Sequence, residues 1–336
     1  MIRDCISPAV LLGIALALTA CTASRQPVTT VAELDVPGVV ELSDTPFFAQ
    51  QDYQCGPAAL ATVLSSASVE VTPEDLAPMV YLPGRHGTLQ AELLAAVRRH
   101  SRIPYILLPS LDALFAEVAA GRPVLVLQKL GIGPFPAWHY AVVIGYDTTA
   151  ELVLLRSGTD ARLVMPVDHF LAGWNRADRW AMAVLKPGEV PAKADLNHYM
   201  KAAAGLEEVG QINSALLAYE AAVRHWPDAV LPRLGLANLA YQQGQLAAAE
   251  LGYRDAIERG PGDVVARNNH AEVLLKLGCT REAADEIEVA RVLADGGPFA
   301  GVVDSSADRI AAVALKDNVS VCPVVFEPAA RVSLSR

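Results

Sequence analysis

The chain has 336 residues, enough for about two domains that each bury a core of their own. Hydrophobic residues make up 52% and charged residues only 19%, which excludes an intrinsically disordered chain. The net charge of −10 is spread along the sequence, and this excludes the basic footprint that a nucleic-acid partner requires.

In chain order, the first element is a targeting segment. Arg3 precedes an apolar stretch over residues 9–20, shorter than the roughly 20 residues a membrane-spanning helix needs. The stretch ends in Leu18, Thr19, Ala20 and Cys21, which resembles the bacterial lipobox, and this implies cleavage before Cys21 and lipidation of its thiol. Residues 1–21 are therefore expected to be a lipoprotein signal peptide, and residues 22–40 a tether. Thr22 in place of Asp after the Cys implies, by the same resemblance, an outer-membrane location facing the periplasm. Export places the remaining Cys55, Cys279 and Cys322 in an oxidising compartment, where one of the three must stay unpaired; a disulfide between Cys279 and Cys322 is one arrangement.

Residues 41–187 form the next unit, with helices first and strands after. Helices are predicted over residues 57–67, from Pro73 with Thr72 as cap, over 88–99 with Thr88 as cap, and over 111–120. Arg98, Arg99 and His100 at the third helix end read as favourable charge at a C-terminus. Strands are predicted over residues 123–128, 139–146, 151–155 and 180–185. That order predicts an α+β domain.

A Pro- and Ala-rich linker, residues 188–195, precedes a repeat over residues 196–297. Gly210, Gly244 and Gly278 recur at intervals of 34, as do Ala215, Ala249 and Ala283, then Ala222, Ala256 and Ala290, then Ala203, Ala237 and Ala271. Glycine permits a turn and alanine lets two helices approach closely, so each repeat reads as a helical hairpin. The spacing resembles the tetratricopeptide repeat, which implies three stacked hairpins, an all-α array and a face that takes a protein partner. Residues 298–336 are expected to cap the array, with the apolar run VSVCPVVF packing back on it.

The chemistry concentrates around Cys55 in QQDYQCGPAALATVL. A thiol at a helix N-terminus faces unpaired N–H groups and the positive end of the macrodipole, which favour thiolate. An oxyanion formed there needs a second donor, for which Gln50 is the first candidate and Gln51 and Gln54 the others. His139 opens the strand HYAVVIGY after a Gly/Pro loop, a position from which an imidazole can serve a distant thiol as general base. The order QQDYQCGPAAL, GRHGTLQAELLAAVRR, GRPVLVLQ and HYAVVIGYD resembles the bacteriocin-processing, double-glycine leader peptidases and their papain-like relatives. That resemblance implies a papain-like fold and peptide-bond hydrolysis, with Cys55 as nucleophile, His139 as base and Gln50 as oxyanion donor.

One member of that set is missing. The family carries an Asp or Asn on the strand after the His strand, and here a short turn brings Ser157, Gly158 or Thr159 opposite His139. Asp147 is about 26 Å away along an extended strand. Ser157 and Asp160 are therefore the candidates for orienting His139. The alternative is a catalytically weak or inactive papain-like scaffold that binds peptides. The remaining His and Cys residues show no CxxC or HExxH spacing, and no phosphate-binding Gly loop occurs, so neither metal nor cofactor is expected. His270 among others reads as a surface or capping residue.

Overall fold

The structure, a computed structural model, describes residues 31–50, 54–131, 137–314 and 322. The signal segment with Cys21, the tether up to residue 30, Gln51 and most of the VSVCPVVF run lie outside the described residues. Among the described residues, no helix is long and apolar enough to cross a membrane.

The first unit is α+β. Strand β1 (Val39–Glu41) leads to helix α1 (Cys55–Ser66), then α2 (Pro73–Val80), the two-residue strands β2 (Tyr81–Leu82) and β3 (Gly87–Thr88), and α3 (Gln90–Arg99). After them come β4 (Ile103–Ile106), α4 (Leu111–Ala119), β5 (Val124–Lys129), β6 (Trp138–Asp147), β7 (Leu152–Ser157), β8 (Asp160–Pro166), α5 (Val167–Asn175) and β9 (Ala181–Leu185). The strands form an antiparallel sheet in the order β4-β9-β5-β6-β7-β8, with β1 paired to the far end of β6.

Alternation along the strands sorts side chains to two faces. Leu125, Leu127, Tyr140 and Val142 pack with Leu60 and Leu64 of α1, Leu76 of α2 and Leu93 of α3. Val124, Val126, Ala141 and Val143 pack on the other face with Phe115 of α4 and Phe170 and Trp174 of α5.

Local chemistry explains most boundaries. Thr72 caps α2 with a full capping box, its hydroxyl accepting from Asp75 N–H while the Asp75 carboxylate accepts from Thr72 N–H. Ser110 caps α4 through Ala113 N–H at 3.1 Å. Thr88, expected to cap α3, instead pairs with Tyr81 across the β2–β3 hairpin, and Leu89 holds the cap position without a side-chain bond. β4 was not foreseen because Pro104 argues against a central strand; it lies on the sheet edge, bonded only to β9.

The second unit is the all-α repeat array: α6 (Leu196–Glu208), α7 (Ile212–His225), α8 (Val230–Gln242), α9 (Leu246–Arg259), α10 (Val264–Lys276), α11 (Thr280–Ala294) and α12 (Ala300–Ala314). Gly210, Gly244 and Gly278 sit at the hairpin turns with φ of 75°, 73° and 80°, a conformation that costs other residues about 1 kcal/mol or more. Eight of the nine alanines at 215, 249, 283, 222, 256, 290, 203, 237 and 271 are fully buried, and Ala237 is 1% exposed. An alanine column at zero exposure is what close helix approach requires.

The two units share one core. Tyr199, Leu206, Ala215 and Tyr219 of the first hairpin pack in the same cluster as Ile103, Tyr105 and Phe115. Residues 188–195 are tied down as well: Tyr199 OH donates to Glu189 O (2.8 Å) and Asp195 N–H donates to Tyr105 OH (3.0 Å). The basic end of α3 lies in this seam, where Arg98 packs against Gly205 and Ser101 Oγ donates to Gln211 Oε1 (2.6 Å). The basic end of α3 therefore has a packing role beside its helix-terminal charge. At the far end a Cys279–Cys322 disulfide fastens the tail to the array. Closing a loop of sequence separation 43 removes about 4 kcal/mol of unfolded-chain entropy on the chain-entropy model.

Candidate active site

Cys55 is the first residue of α1 and lines a cleft of about 800 Å³ together with Arg85, Thr88, Leu127, Trp138 and Tyr140. The helix can start here because residue 56 is glycine. A Cβ on Gly56 would meet the Thr88 side chain at 2.3 to 2.9 Å, so α1 and the β2–β3 hairpin close on each other only without one. Tyr140 OH donates to Thr88 O (3.3 Å) and ties that hairpin to β6.

Three main-chain N–H groups, those of Tyr140, Gly56 and Cys55 itself, face the thiol and favour its anion, but burial outweighs them and pushes the Cys55 pKa up. The helix terminus therefore acts in the expected direction and does not prevail. His139, on the strand β6, has its pKa lowered by burial. Both shifts favour the uncharged forms, thiol and imidazole.

Both Cys55 and Gln50 meet the main chain of Tyr140. The Cys55 thiol faces its N–H, and Gln50 Nε2 donates to its carbonyl at 3.3 Å. Tyr140 N is one peptide bond from the His139 Cα, so the thiol faces the main chain next to His139. Gln50 is held from the other side too, its N–H donating to Gly158 O at 3.1 Å.

His139 Nε2 is 2.8 Å from Ser157 Oγ. The β6–β7 register pairs Val142 with Arg156, which puts Ser157 on the same face as His139, one diagonal step along. A ring donating Nε2–H to that hydroxyl presents Nδ1 with its lone pair, and Nδ1 makes no hydrogen bond to a described residue. Asp160 stands opposite Ser157 in the β7–β8 pairing, is exposed, and makes no bond to His139. Asp147 is spent on its own turn, accepting from Thr149 N–H (2.9 Å) and Ala150 N–H (2.8 Å). Gln54 occupies the N-cap of α1 without a side-chain bond.

Sequence reasoning missed the Tyr140 main chain, Thr88 and Arg156. A backbone N–H has no residue signature, and Thr88 reads as a helix cap. Arg156, whose guanidinium donates to Ser43 O (2.9 Å) and Thr45 O (2.7 Å), bonds across more than a hundred residues of sequence.

Known proteins resemble the two units separately. A solved Bacillus anthracis structure described as a C39-like peptidase is 20% identical and covers 45% of this chain and 98% of its own, with a TM-score of 0.38. The TPR2B domain of yeast Sti1 is 16% identical, covering 35% of this chain and 97% of its own at a TM-score of 0.33. The Yersinia enterocolitica type III secretion translocator chaperone SycD is 21% identical, covering 39% and 90% at 0.35. No curated protein matches the chain. Residues 35–182, the stretch that carries Gln50, Cys55, His139 and Ser157, match the Peptidase_C39 like family.

Proposed function

We propose that the protein is a cysteine peptidase in which Cys55 attacks the scissile carbonyl, His139 serves as general base and then acid, and Gln50 donates to the oxyanion. The observation that carries this reading is the convergence on Tyr140: the thiol at its N–H, the Gln50 amide at its carbonyl, and His139 as its neighbour, held by Ser157. With both groups neutral at rest, His139 Nδ1 takes the thiol proton as the sulfur attacks. The oxyanion then forms beside the Cys55 N–H, and Gln50 Nε2 leaves the Tyr140 carbonyl to meet it. His139 returns the proton to the leaving amine, and water repeats the sequence on the thioester. Ser157 holds the ring in its tautomer but supplies no charge to the imidazolium, so turnover is slower than with a carboxylate.

Location and partner follow from the sequence. Lipidation at Cys21 would place the enzyme on the envelope, in the outer membrane facing the periplasm, with a peptide or protein as substrate and the repeat array holding a protein partner. Mass spectrometry of the mature N-terminus tests the anchor: acylated Cys21 is expected, and an unmodified N-terminus elsewhere overturns it.

The second reading, a catalytically silent scaffold, draws on the raised Cys55 pKa and on the Gln50 amide already occupied by Tyr140. Incubating denatured envelope proteins with the wild type and with C55A, then sequencing new N-termini, separates the two. Cleavages present only with the wild type are expected. Identical termini from both proteins would leave the scaffold.

A further inference from the structure

The segment that delivers Gln50 and Cys55 has no regular structure of its own over residues 42–50. It leaves the end of β1, where Leu42 N–H donates to Ile144 O (2.7 Å), and crosses the β6–β7 pair to the β7–β8 turn, where Gln50 N–H meets Gly158 O (3.1 Å). Between those two points two of its carbonyls, those of Ser43 and Thr45, accept from Arg156, which also bonds β8. Nη2 donates to Ser43 O at 2.9 Å and to Thr45 O at 2.7 Å, while Nη1 donates to Ala161 O on β8.

Strand geometry explains why this residue does it. Arg156 sits at the irregularity of β7 between Leu155 and Ser157, and its guanidinium reaches the crossing segment at Ser43 and Thr45. Ser157, the next residue, meets His139. Two consecutive residues of β7 thus address the two halves of the site. A planar guanidinium spans three carbonyls with charge-assisted bonds, which an ammonium cannot do.

We infer that Arg156 is a positioning residue for catalysis, fixing the distance between Gln50 and the His139–Ser157 pair. The inference rests on the peptidase reading for its kinetic consequence, though the clamp itself is a statement about residues 43–50. Displacing an oxyanion donor by about 1 Å costs on the order of 10²-fold in rate.

The test compares wild type, R156A and R156K, each with and without Q50A, by hydrogen exchange of the peptide spanning residues 43–50 and by kcat and KM on a cleaved peptide. R156A is expected to speed exchange over residues 43–50 and to lower kcat about 10- to 100-fold while KM changes less than about threefold. In the Q50A background the same substitution should cost less than about threefold, because the donor it positions is already gone. R156K should recover little. Should R156A fail to fold, R156Q, which keeps one amide donor pair, replaces it. Unchanged exchange over residues 43–50 overturns the clamp, and a full loss of kcat in the Q50A background overturns its action through Gln50. If the wild type shows no Cys55-dependent hydrolysis, the peptidase reading falls and the exchange arm still decides the clamp.

Discussion

Two histidines in this molecule, one half-buried and one buried, have pKa values shifted in opposite directions, and the difference lies in their neighbours. His139 on β6 is half-buried with a hydroxyl as its partner, and desolvation lowers its pKa. His270 on α10 is buried, which works to lower it, yet Glu250 at 3.5 Å and Glu286 at 3.7 Å outweigh that cost and raise it. Arg267 completes the second cluster, 2.6 Å from Glu286. Burial alone disfavours the imidazolium; a carboxylate restores it. The repeat array holds a carboxylate–histidine pair in a structural role, while His139, the proposed base, has a hydroxyl and no carboxylate bonded to its ring among the described residues.

The largest test of the cleft side is removal of the nucleophile. C55A should lower hydrolysis on the order of 10⁴-fold or more, read as peptide turnover by mass spectrometry. A variant retaining a tenth of wild-type activity would break the comparison, since no other described thiol is free.

Next in size is the seam between the two units. Ending the chain at residue 194 strips Tyr199, Leu206 and Tyr219 from the shared core, whereas ending it at residue 229 keeps them. The longer protein should unfold cooperatively, and the shorter one should lose its cooperative transition in a thermal melt. Equal melts for both would show that the first hairpin is dispensable to the sheet.

The missing carboxylate can be supplied. On the proposed mechanism neutral His139 is the active form, and with its pKa lowered kcat/KM should rise through an acid limb lying below about pH 6.5 and then stay level. S157D should move that limb upward, toward the behaviour of His270. S157A should leave the limb where it is and lower kcat about tenfold. An unmoved limb in S157D would separate His139 from Ser157 in function.

The smallest effect belongs to the array. His270 has a raised folded-state pKa, so its contribution to stability is fully present below about pH 6.5 and is lost as pH rises through the folded value. E286Q should therefore cost about 1–3 kcal/mol at pH 5.5 and less at pH 8.5, measured by urea melts. A cost independent of pH would mean that His270 does not titrate between the two states.

Legibility followed the range of the interactions. The array was readable because Gly210, Gly244 and Gly278 answer to local dihedrals, and the alanine columns to a repeated local contact. The α+β order was readable from periodicity, and Thr72 acts where capping chemistry puts it. Candidates for the site were visible as residue types, but their partners were not. Ser157 was one of several residues a turn of unknown length could bring opposite His139, and the bulge between Val143 and Gly145 sets which. Arg156, Thr88 and the Tyr140 main chain act through contacts that only the folded sheet creates. His270 reads as polar and exposed until the packing of α9, α10 and α11 encloses it among Glu250, Glu286 and Arg267.

The pairing of Cys55 with His139 is tested most directly by the rate at which a peptidyl chloromethyl ketone alkylates Cys55, followed by intact mass at pH 7.5 in the wild type and in H139A. A single label on Cys55, formed at least about 100-fold more slowly in H139A, is the predicted result. Equal rates in the two proteins would contradict it.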